Sequence, residues 1–319
     1  MADRDSSLDC HLATPAEREA AYRNVSDVWS MGLSPEEHLR RRLTSPKHQS
    51  ARWYVGCLDG QVVTSLGAYP LELRIHGHVL PSVAIGSVHT LPAFRGRGLA
   101  PRLLDWVHAF LQARGTRATL LYSDIEPEFY ARLGYRRCPC YVGWVEASPR
   151  TAASSGPRHQ APLTRFDPTE EVARMAELYD AYHGRFAISI ARSAQYWQQL
   201  LCRGENDEFY WLGTSREVRG YVRLACHEAE LRISDFALTT SPASTDAAES
   251  LYRGIVELAG ETGAARVGGW LPKTAAAQRC FRLEPRTQEI AMIKVLDEAD
   301  RFDDDALRQT DHFTEIDHV

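Results

Sequence analysis

The chain has 319 residues, of which 44% are hydrophobic and 25% charged, so it can bury a large core and its length predicts two domains. Its formal net charge of -5 disfavours a general nucleic-acid-binding protein, which needs a basic surface to displace counterions from phosphate. The sequence has no apolar leader and no run of about 18 apolar residues, so we expect neither export nor a membrane span. The 7 cysteines show no zinc-site spacing and predict a reducing, cytoplasmic setting.

Patterns in the first half of the chain predict helices followed by a sheet. Ser34, Pro35 and Glu37 form the start of a helix with a capping box. Asp59-Gly60 separates two strand-like runs and predicts a hairpin. A turn at Gly77 then leads into a mostly apolar strand that ends near residue 90.

A stretch rich in glycine and arginine follows that strand. Gly96 and Gly98 alternate with Arg95 and Arg97 directly before an amphipathic helix that we predict to run to Gly115. A helix N-terminus exposes unpaired N–H groups, and glycines let an anion approach them closely. These residues alone predict a phosphate site or, equally, a solvated basic turn. The stretch lacks the Gly-Lys-Ser/Thr ending of a nucleoside-triphosphate loop and the pattern of a dinucleotide-binding loop.

The rest of the chain predicts a second unit that partly repeats the first. Residues 117–123 predict a buried strand, residues 127–134 a short helix and residues 136–145 a last strand. Residues 146–166 are rich in Ser, Ala and Pro and are typical of a linker. We therefore predict a first domain at 1–147, a linker at 148–165, a second domain at 166–298 and an acidic tail at 299–319. The fold class is α/β, with a mixed, mainly antiparallel sheet flanked by helices in each domain.

Arg95-x-x-Gly98-x-Ala100, preceded by "SVHTLP" and followed by "FYARLGY", resembles the acyl-CoA loop and C-terminal signature of the GNAT superfamily of N-acyltransferases. The resemblance covers about residues 9–145. The layout of the whole chain resembles the tandem GNAT acetyltransferases of the Eis type, without their third, sterol-carrier-like domain. In the second copy, "TTSPASTDAAE" at 239–249 stands where the loop is expected, so the resemblance implies a degenerate domain that does not bind CoA.

The resemblance implies acetyl-CoA as cosubstrate and no metal. Its pyrophosphate is expected at the backbone N–H groups of Arg95, Gly96, Arg97, Gly98, Leu99 and Ala100. The backbones of Val88 and Thr90 are expected along the pantetheine arm, with Ser123 as a further contact.

Tyr130 is implied as the general acid that protonates the departing CoA thiolate. An amine with a pKa near 10.4 is only about 1 part in 1000 neutral at pH 7, so a base must assist. His89, Glu126 and Asp124 are the candidates for that base, and each of them is equally well explained by a structural role. In the tail, His312, Asp317 and His318 could serve instead if the tail folds back onto the site.

These residues predict an acetyl-CoA-dependent N-acetyltransferase that acts on a primary amine of a small acceptor, cationic acceptors included. Attack is expected to be direct, within a ternary complex. The alternative is a non-catalytic acyl-CoA-binding or partner-binding protein that retains the loop. We expect no nucleic-acid or membrane partner, and the sequence is compatible with a homo-oligomer.

Overall fold

The structure is a computed structural model that describes residues 7–147, 163–204, 206–214, 217–239 and 245–318. Most of the predicted linker, residues 148–162, lies outside the described residues, as do residues 240–244 of the second-copy loop.

The first half of the chain begins with helices and continues into long antiparallel strands. Its elements are β1 (Asp9–Leu12), α1 (Pro15–Asn24), α2 (Ser26–Trp29), α3 (Pro35–Thr44), α4 (Pro46–Ser50), β2 (Arg52–Leu58), β3 (Gln61–Ile75), β4 (His78–Thr90), α5 (Leu99–Gln112), β5 (Ala118–Ser123), α6 (Glu128–Ala131), β6 (Arg136–Arg137) and β7 (Tyr141–Glu146).

The second half repeats the alternation of helices and strands. Its elements are β8 (Leu163–Arg165), α7 (Pro168–His183), β9 (Ile188–Ala191), α8 (Ala194–Leu201), β10 (Glu208–Gly213), β11 (Val218–His227), β12 (Glu230–Leu238), α9 (Thr245–Thr262), β13 (Arg266–Trp270), α10 (Ala275–Cys280), β14 (Arg282–Pro285), β15 (Ile290–Val295) and α11 (Asp304–Arg308).

Local sequence signals explain several of these boundaries. The Ser34 hydroxyl accepts a hydrogen bond from the Glu37 N–H and caps α3, as predicted. The reciprocal bond of the predicted capping box does not form among the described residues, because the Glu37 carboxylate binds Arg40 and Arg41. The hairpin between β2 and β3 turns at Asp59 and Gly60, whose φ angles of 49° and 78° suit a tight two-residue turn. The helix predicted from Gly98 is α5, which begins one residue later.

The strands form two mixed sheets with a similar arrangement of parallel and antiparallel pairs. The first has the order β1-β2-β3-β4-β5-β15-β6, with β9 added beside β3, and the second has the order β8-β10-β11-β12-β13-β7-β14. In each sheet as described, one neighbouring pair is parallel, β4 with β5 and β12 with β13, and the other pairs are antiparallel. The fold is therefore the α/β arrangement of two tandem mixed sheets flanked by helices that the sequence predicts.

The first sheet takes two strands from the second half of the chain, β9 and β15, and the second sheet takes one strand from the first half, β7. β15, from the second half, pairs with β5 of the first sheet, and β7, from the first half, pairs with β13 and β14 of the second. The predicted division at residues 147 and 166 therefore does not describe which strands share a sheet. The exchange joins the two halves through backbone hydrogen bonds as well as through side-chain packing.

The stretch predicted as the last strand of the first half, residues 136–145, forms two strands that belong to different sheets. Residues 136–137 form β6 beside β15, and residues 141–146 form β7 in the second sheet. Pro139 lies between them, and because proline cannot donate a backbone hydrogen bond, the chain leaves one sheet there before it enters the other.

The acidic tail crosses both sheets rather than extending into solvent. Arg117 pairs with Asp300 and Arg136 pairs with Asp304, so the start of the tail is fastened to the first sheet. Phe302 and Phe313 belong to the large hydrophobic core. In the described part of the chain, no helix has the length and apolar character needed to cross a membrane.

Candidate active site

The stretch between β4 and α5 presents bare backbone at a helix N-terminus. Gly96 and Gly98 have φ angles of 76° and 69°, a left-handed conformation that favours glycine. A Cβ atom added at either position would meet nothing within 4 Å, so the backbone faces open space. Among the described residues, no acceptor is recorded for the N–H groups of residues 96–100. The mouth of α5 thus has free donors and the positive end of a helix dipole, the features of an anion site.

The arginine side chains of this stretch are exposed and locally held. Arg95 Nε donates to the Thr90 carbonyl oxygen at 3.0 Å, across the loop. The Arg97 guanidinium carbon lies 5.6 Å from the centroid of the Phe94 ring. The loop is therefore braced from within. The Arg95 N–H, which the sequence predicted as a pyrophosphate donor, instead donates to the Pro92 carbonyl oxygen at 3.3 Å, because Arg95 closes the turn that begins at Pro92.

The first sheet opens between its two parallel strands, next to this loop. The pairing of β4 with β5 ends at Ile85 and Leu121, although β5 stays paired with β15 for two residues more. A bulge lies just beyond that point on β4, where Ser87 has a φ of 52° and the register with β3 shifts. Bulges re-aim backbone groups, and here the bulge is at the mouth of the opening.

A cavity of about 250 Å³ lies in this opening. Val88 on β4, Tyr122 on β5 and Tyr130 on α6 line one part of it, and Arg42 and Lys47 on the N-terminal helices line another. His318, from the tail, completes the lining. The structure thus brings together Tyr130 and Val88 of the predicted site residues with the end of the tail.

Tyr130 is held by the turn that its sequence motif predicts. Gly134, with a φ of 86°, ends the helical turn, and the Tyr135 N–H donates back to the Tyr130 carbonyl oxygen at 3.1 Å. The Tyr130 ring packs edge-on against the rings of Phe129 and Tyr135. Burial, with a smaller effect of Asp124, raises the pKa of Tyr130 well above its usual range, so the hydroxyl keeps its proton near neutral pH.

Of the other predicted side chains, Asp124 lines this cavity, whereas those of His89, Glu126 and Ser123 are not part of its lining. His89 is buried against Trp29, with ring centroids 6.5 Å apart, and burial lowers its pKa. Glu126 is exposed, and its carbonyl oxygen accepts the Phe129 N–H of the α6 turn. The Ser123 hydroxyl donates to the Ile125 carbonyl oxygen at 2.8 Å.

Two tail residues that the sequence offered as alternatives have structural partners. Asp317 forms a buried ion pair with Arg192 at 2.7 Å. The His312 ring stacks on Phe186 with centroids 3.7 Å apart. His318 alone of the three lines the cavity.

Asp124, Glu289 and His318 form a cluster at the edge of the cavity. One ligand atom from each lies within 4.8 Å of the others, a spacing that could hold a cation. Burial raises the pKa of the Asp124 carboxyl, and burial together with the Glu315 carboxylate raises that of Glu289. Burial and the nearby cations lower the pKa of His318 to about 3, so its ring is neutral at pH 7. A second group with such spacing, His11, Glu17 and Cys57, lies away from this lining.

Sequence reasoning did not single out the basic and aromatic part of the lining. Arg42, Lys47, Tyr69 and Tyr122 come from four elements, the neighbouring helices α3 and α4 and the strands β3 and β5. In the sequence, Arg42 is one of three consecutive arginines on a predicted helix. Only the structure distinguishes it from the other two, because its side chain is buried, with 7% exposure. No local signal marks the other three.

Comparison with known proteins finds a family match in the first half of the chain. Residues 9–138 match the family model described as an acetyltransferase (GNAT) domain, which confirms the resemblance over that stretch. The search of curated proteins found no match.

Solved structures share the fold over nearly the whole chain. A probable N-acyltransferase of unknown function from Enterococcus faecalis V583 is 14% identical, with a TM-score of 0.70, over 91% of this chain and 73% of that one. A GCN5-related N-acetyltransferase from Kribbella flavida is 18% identical, with a TM-score of 0.67, over 93% and 74%. Eis1 from Mycobacterium abscessus is 18% identical, with a TM-score of 0.60, over 91% and 74%. At these identities the likenesses show the fold.

Proposed function

We propose that this chain, whose residues 9–138 match an acetyltransferase (GNAT) domain, is an acetyl-CoA-dependent N-acetyltransferase that acts on a primary amine of a small acceptor. One observation carries the proposal. The free donors at the mouth of α5 lie at the end of the same strand, β4, whose divergence from β5 opens a cavity lined by Tyr130. An anion cradle and a proton donor thus flank one opening in the sheet, as transfer from a phosphate-bearing thioester requires.

The loop suits the pyrophosphate of CoA. The N–H groups of residues 96–100 have no hydrogen-bond acceptor among the described residues, and the space above Gly96 and Gly98 is open, so phosphate oxygens have access to the donors. Val88 and Thr90, on the bulged end of β4, are placed to follow the pantetheine arm. Ser123 contributes through its backbone in this proposal, because its hydroxyl is already bonded to Ile125.

The cosubstrate supplies an acetyl thioester as the electrophile. The acceptor nitrogen forms a bond to the acetyl carbon as the carbon–sulfur bond breaks. The protonated amine gives up two protons in all, one before and one after attack, and the sulfur gains one. Tyr130 donates that proton from its neutral hydroxyl and is reprotonated, a contribution of roughly 100- to 10,000-fold.

Asp124 is the best-placed base among the three candidates. It lines the cavity with Tyr130, whereas His89 and Glu126 do not. Its raised pKa makes it a stronger base than an ordinary aspartate.

The resemblance implies attack within a ternary complex, so no covalent enzyme intermediate is needed. We also propose a cytoplasmic setting, and a homo-oligomer is compatible with this site.

Release of CoA tests the proposal. The pure protein is incubated with acetyl-CoA, a thiol reagent and a panel of primary amines, and acetyl-CoA binding is measured separately by calorimetry. We expect CoA release with at least one acceptor. Binding of acetyl-CoA without release above background for any amine would instead establish the alternative, a non-catalytic acyl-CoA-binding protein.

A further inference from the structure

Two cations in the cavity lining, the buried Arg42 and the half-buried Lys47, have no carboxylate partner among the described residues. Arg42 Nε donates to His38 Nε2 at 2.9 Å and its Nη1 to the Ser87 hydroxyl at 3.3 Å. Lys47 Nζ donates to the His318 carbonyl oxygen at 3.5 Å and lies 5.5 Å from the Tyr69 ring centroid. Among the described residues, neither cation forms an ion pair with a carboxylate.

Two further arginines surround the same corner. Arg203 Nη1 donates to the carbonyl oxygens of Ile316 and His318, at 2.7 and 3.3 Å. Arg286 stacks on Trp270, and its Nε and Nη1 have no partner among the described residues. Burial, Arg203 and Arg42 together hold the pKa of Lys47 well below its usual range. Partial burial of several like charges raises the free energy of the folded protein, and an anion bound in the cavity would lower it.

Tyr122 offers a second, independent sign of a ligand in this corner. Its side chain is only 8% exposed, it lines the cavity, and its hydroxyl has no hydrogen-bond partner among the described residues. Burial raises the pKa of Tyr122 well above its usual range, so the hydroxyl remains a neutral donor. An unpaired buried hydroxyl costs about 1–3 kcal/mol, which an oxygen acceptor from a ligand would recover.

The cavity also has negatively charged groups at one edge. Asp124 and Glu289 lie there beside the neutral His318 ring, and Asp124 lies on the same edge as Tyr130. A protonated amine is attracted to that edge, which is where the proposed chemistry needs the nitrogen. The lining thus combines a carboxylate near Tyr130, that of Asp124, with the cations Arg42 and Lys47.

We propose that the acceptor is a small amino acid, an amine that also bears a carboxylate, with the carboxylate at Arg42, Lys47 and Tyr122. This inference rests on the proposed function and specifies its substrate class. A cavity of about 250 Å³ is below the usual range for drug-sized ligands and fits a molecule of amino-acid size. Trp29, Ile85 and Leu121 give the cavity apolar walls for an uncharged side chain.

Paired acceptors separate the role of the carboxylate from that of the amine. Glycine, leucine, phenylalanine and 4-aminobutyrate are each compared with the corresponding carboxamide, in turnover with acetyl-CoA and by calorimetry on protein saturated with CoA. We expect at least one acid to bind, and its kcat/KM and affinity to exceed those of its carboxamide by at least about tenfold. In Lys47→Met that preference is expected to fall by at least about tenfold.

Lys273→Met is the matched control. Lys273 is an exposed lysine whose Nζ lies 5.3 Å from the Tyr141 ring centroid, much as Lys47 lies over Tyr69, but it is not part of the cavity lining. The preference for the acid is expected to be unchanged in this variant.

The experiment distinguishes a wrong acceptor assignment from a wrong N-acetyltransferase proposal. If no acid binds, if acids and carboxamides bind alike, or if Lys47→Met keeps the full preference, the acceptor assignment is overturned even when amines are acetylated. If an acid binds with the expected dependence on Lys47 but no CoA is released, the assignment stands and the N-acetyltransferase proposal fails.

Discussion

Asp317 pairs with the buried guanidinium of Arg192, and the next residue, His318, lines the cavity that also contains Tyr130. Arg192 also donates two hydrogen bonds to Asp235, at 2.7 and 2.9 Å, so one arginine joins the second sheet to the end of the chain. The Thr314 hydroxyl lies 3.1 Å from an oxygen of each of these carboxylates and donates its single proton to one of them. This network fixes the tail where it completes the site.

Loss of Arg192 should therefore destabilise the whole protein. Arg192→Met leaves two carboxylates buried without their cation, and we expect a loss of about 3–5 kcal/mol in the free energy of unfolding at pH 7. Denaturant unfolding followed by circular dichroism measures it. Arg232→Met is the control, because the ion pairs of Arg232 with Glu230 and Glu315 are partly exposed and should contribute less than about 1 kcal/mol.

The effect of Arg192→Met should also depend on pH. Burial opposes ionisation of Asp235, but Arg192 outweighs it and lowers the pKa of that carboxyl. A lowered pKa contributes stability that is present above the unfolded value near 3.9 and is lost as pH falls through the folded value. The difference between wild type and variant should shrink below about pH 4. A difference that stays constant across that range would contradict the role given to this ion pair.

The Tyr130 hydroxyl should affect turnover and not cosubstrate binding. We expect Tyr130→Phe to lower kcat by about 100- to 10,000-fold while the Kd for acetyl-CoA stays within about twofold. Assays of CoA release measure kcat, and calorimetry measures the Kd for acetyl-CoA. Tyr135→Phe is the matched control, since the Tyr135 hydroxyl bonds His108 and Thr119, each at 2.9 Å, inside the core. It should cost about 1 kcal/mol of stability with little change in kcat. Equal losses of kcat in the two variants would remove Tyr130 from the mechanism.

The free backbone at the mouth of α5 should be sensitive to a single methyl group. Gly98→Ala places a Cβ in the open space where we propose the pyrophosphate, so the Kd for acetyl-CoA should rise by about tenfold or more. Gly115→Ala is the control, because Gly115 also has a left-handed φ, 87°, and open surroundings, at the other end of the same helix. Both changes should cost about 1–2 kcal/mol of stability. Calorimetric titration that finds equal affinities in the two variants would place the pyrophosphate elsewhere.

The strand exchange should make the first half dependent on the second. Residues 1–147 lack β15, whose Met292 and Ile293 are completely buried beside β5, so we expect this fragment alone not to fold. Co-expression with residues 148–319 should restore soluble protein that binds acetyl-CoA. Circular dichroism and soluble yield are the measurements. A cooperative unfolding transition for the fragment by itself would show that β15 is dispensable.

Several features of the fold were predictable because they depend on short stretches of chain. The Asp59-Gly60 hairpin, the start of α3 at Ser34 and the turn after Tyr130 follow from residues within a few positions of one another. The exchange of β7 and β15 was not predictable, because the sequence pattern of a strand does not specify its neighbour in a sheet.

Some residues of the candidate site were likewise predictable from local sequence, and others were not. The glycines before α5 and the Tyr130 motif were found from local sequence, and the structure places the loop and Tyr130 at one opening of the first sheet. The base candidates were less well predicted, because whether a carboxylate or a histidine faces a cavity depends on distant elements. Asp124 lines the cavity through the end of β5, whereas His89, on the adjacent strand, packs against Trp29.

The sequence by itself determined the α/β pattern, the tandem organisation and the helix mouth with its bare backbone, because each depends on residue conformation and periodicity within one segment. Only the tertiary structure decided which strands share a sheet and which charges meet in the cavity. Lys47 and His318 are 271 positions apart in the chain, and long-range strand pairing together with the buried Arg192 network brings them within hydrogen-bonding distance. The charge pattern that selects the acceptor is therefore a property of the folded chain, because its members come from segments that only packing joins.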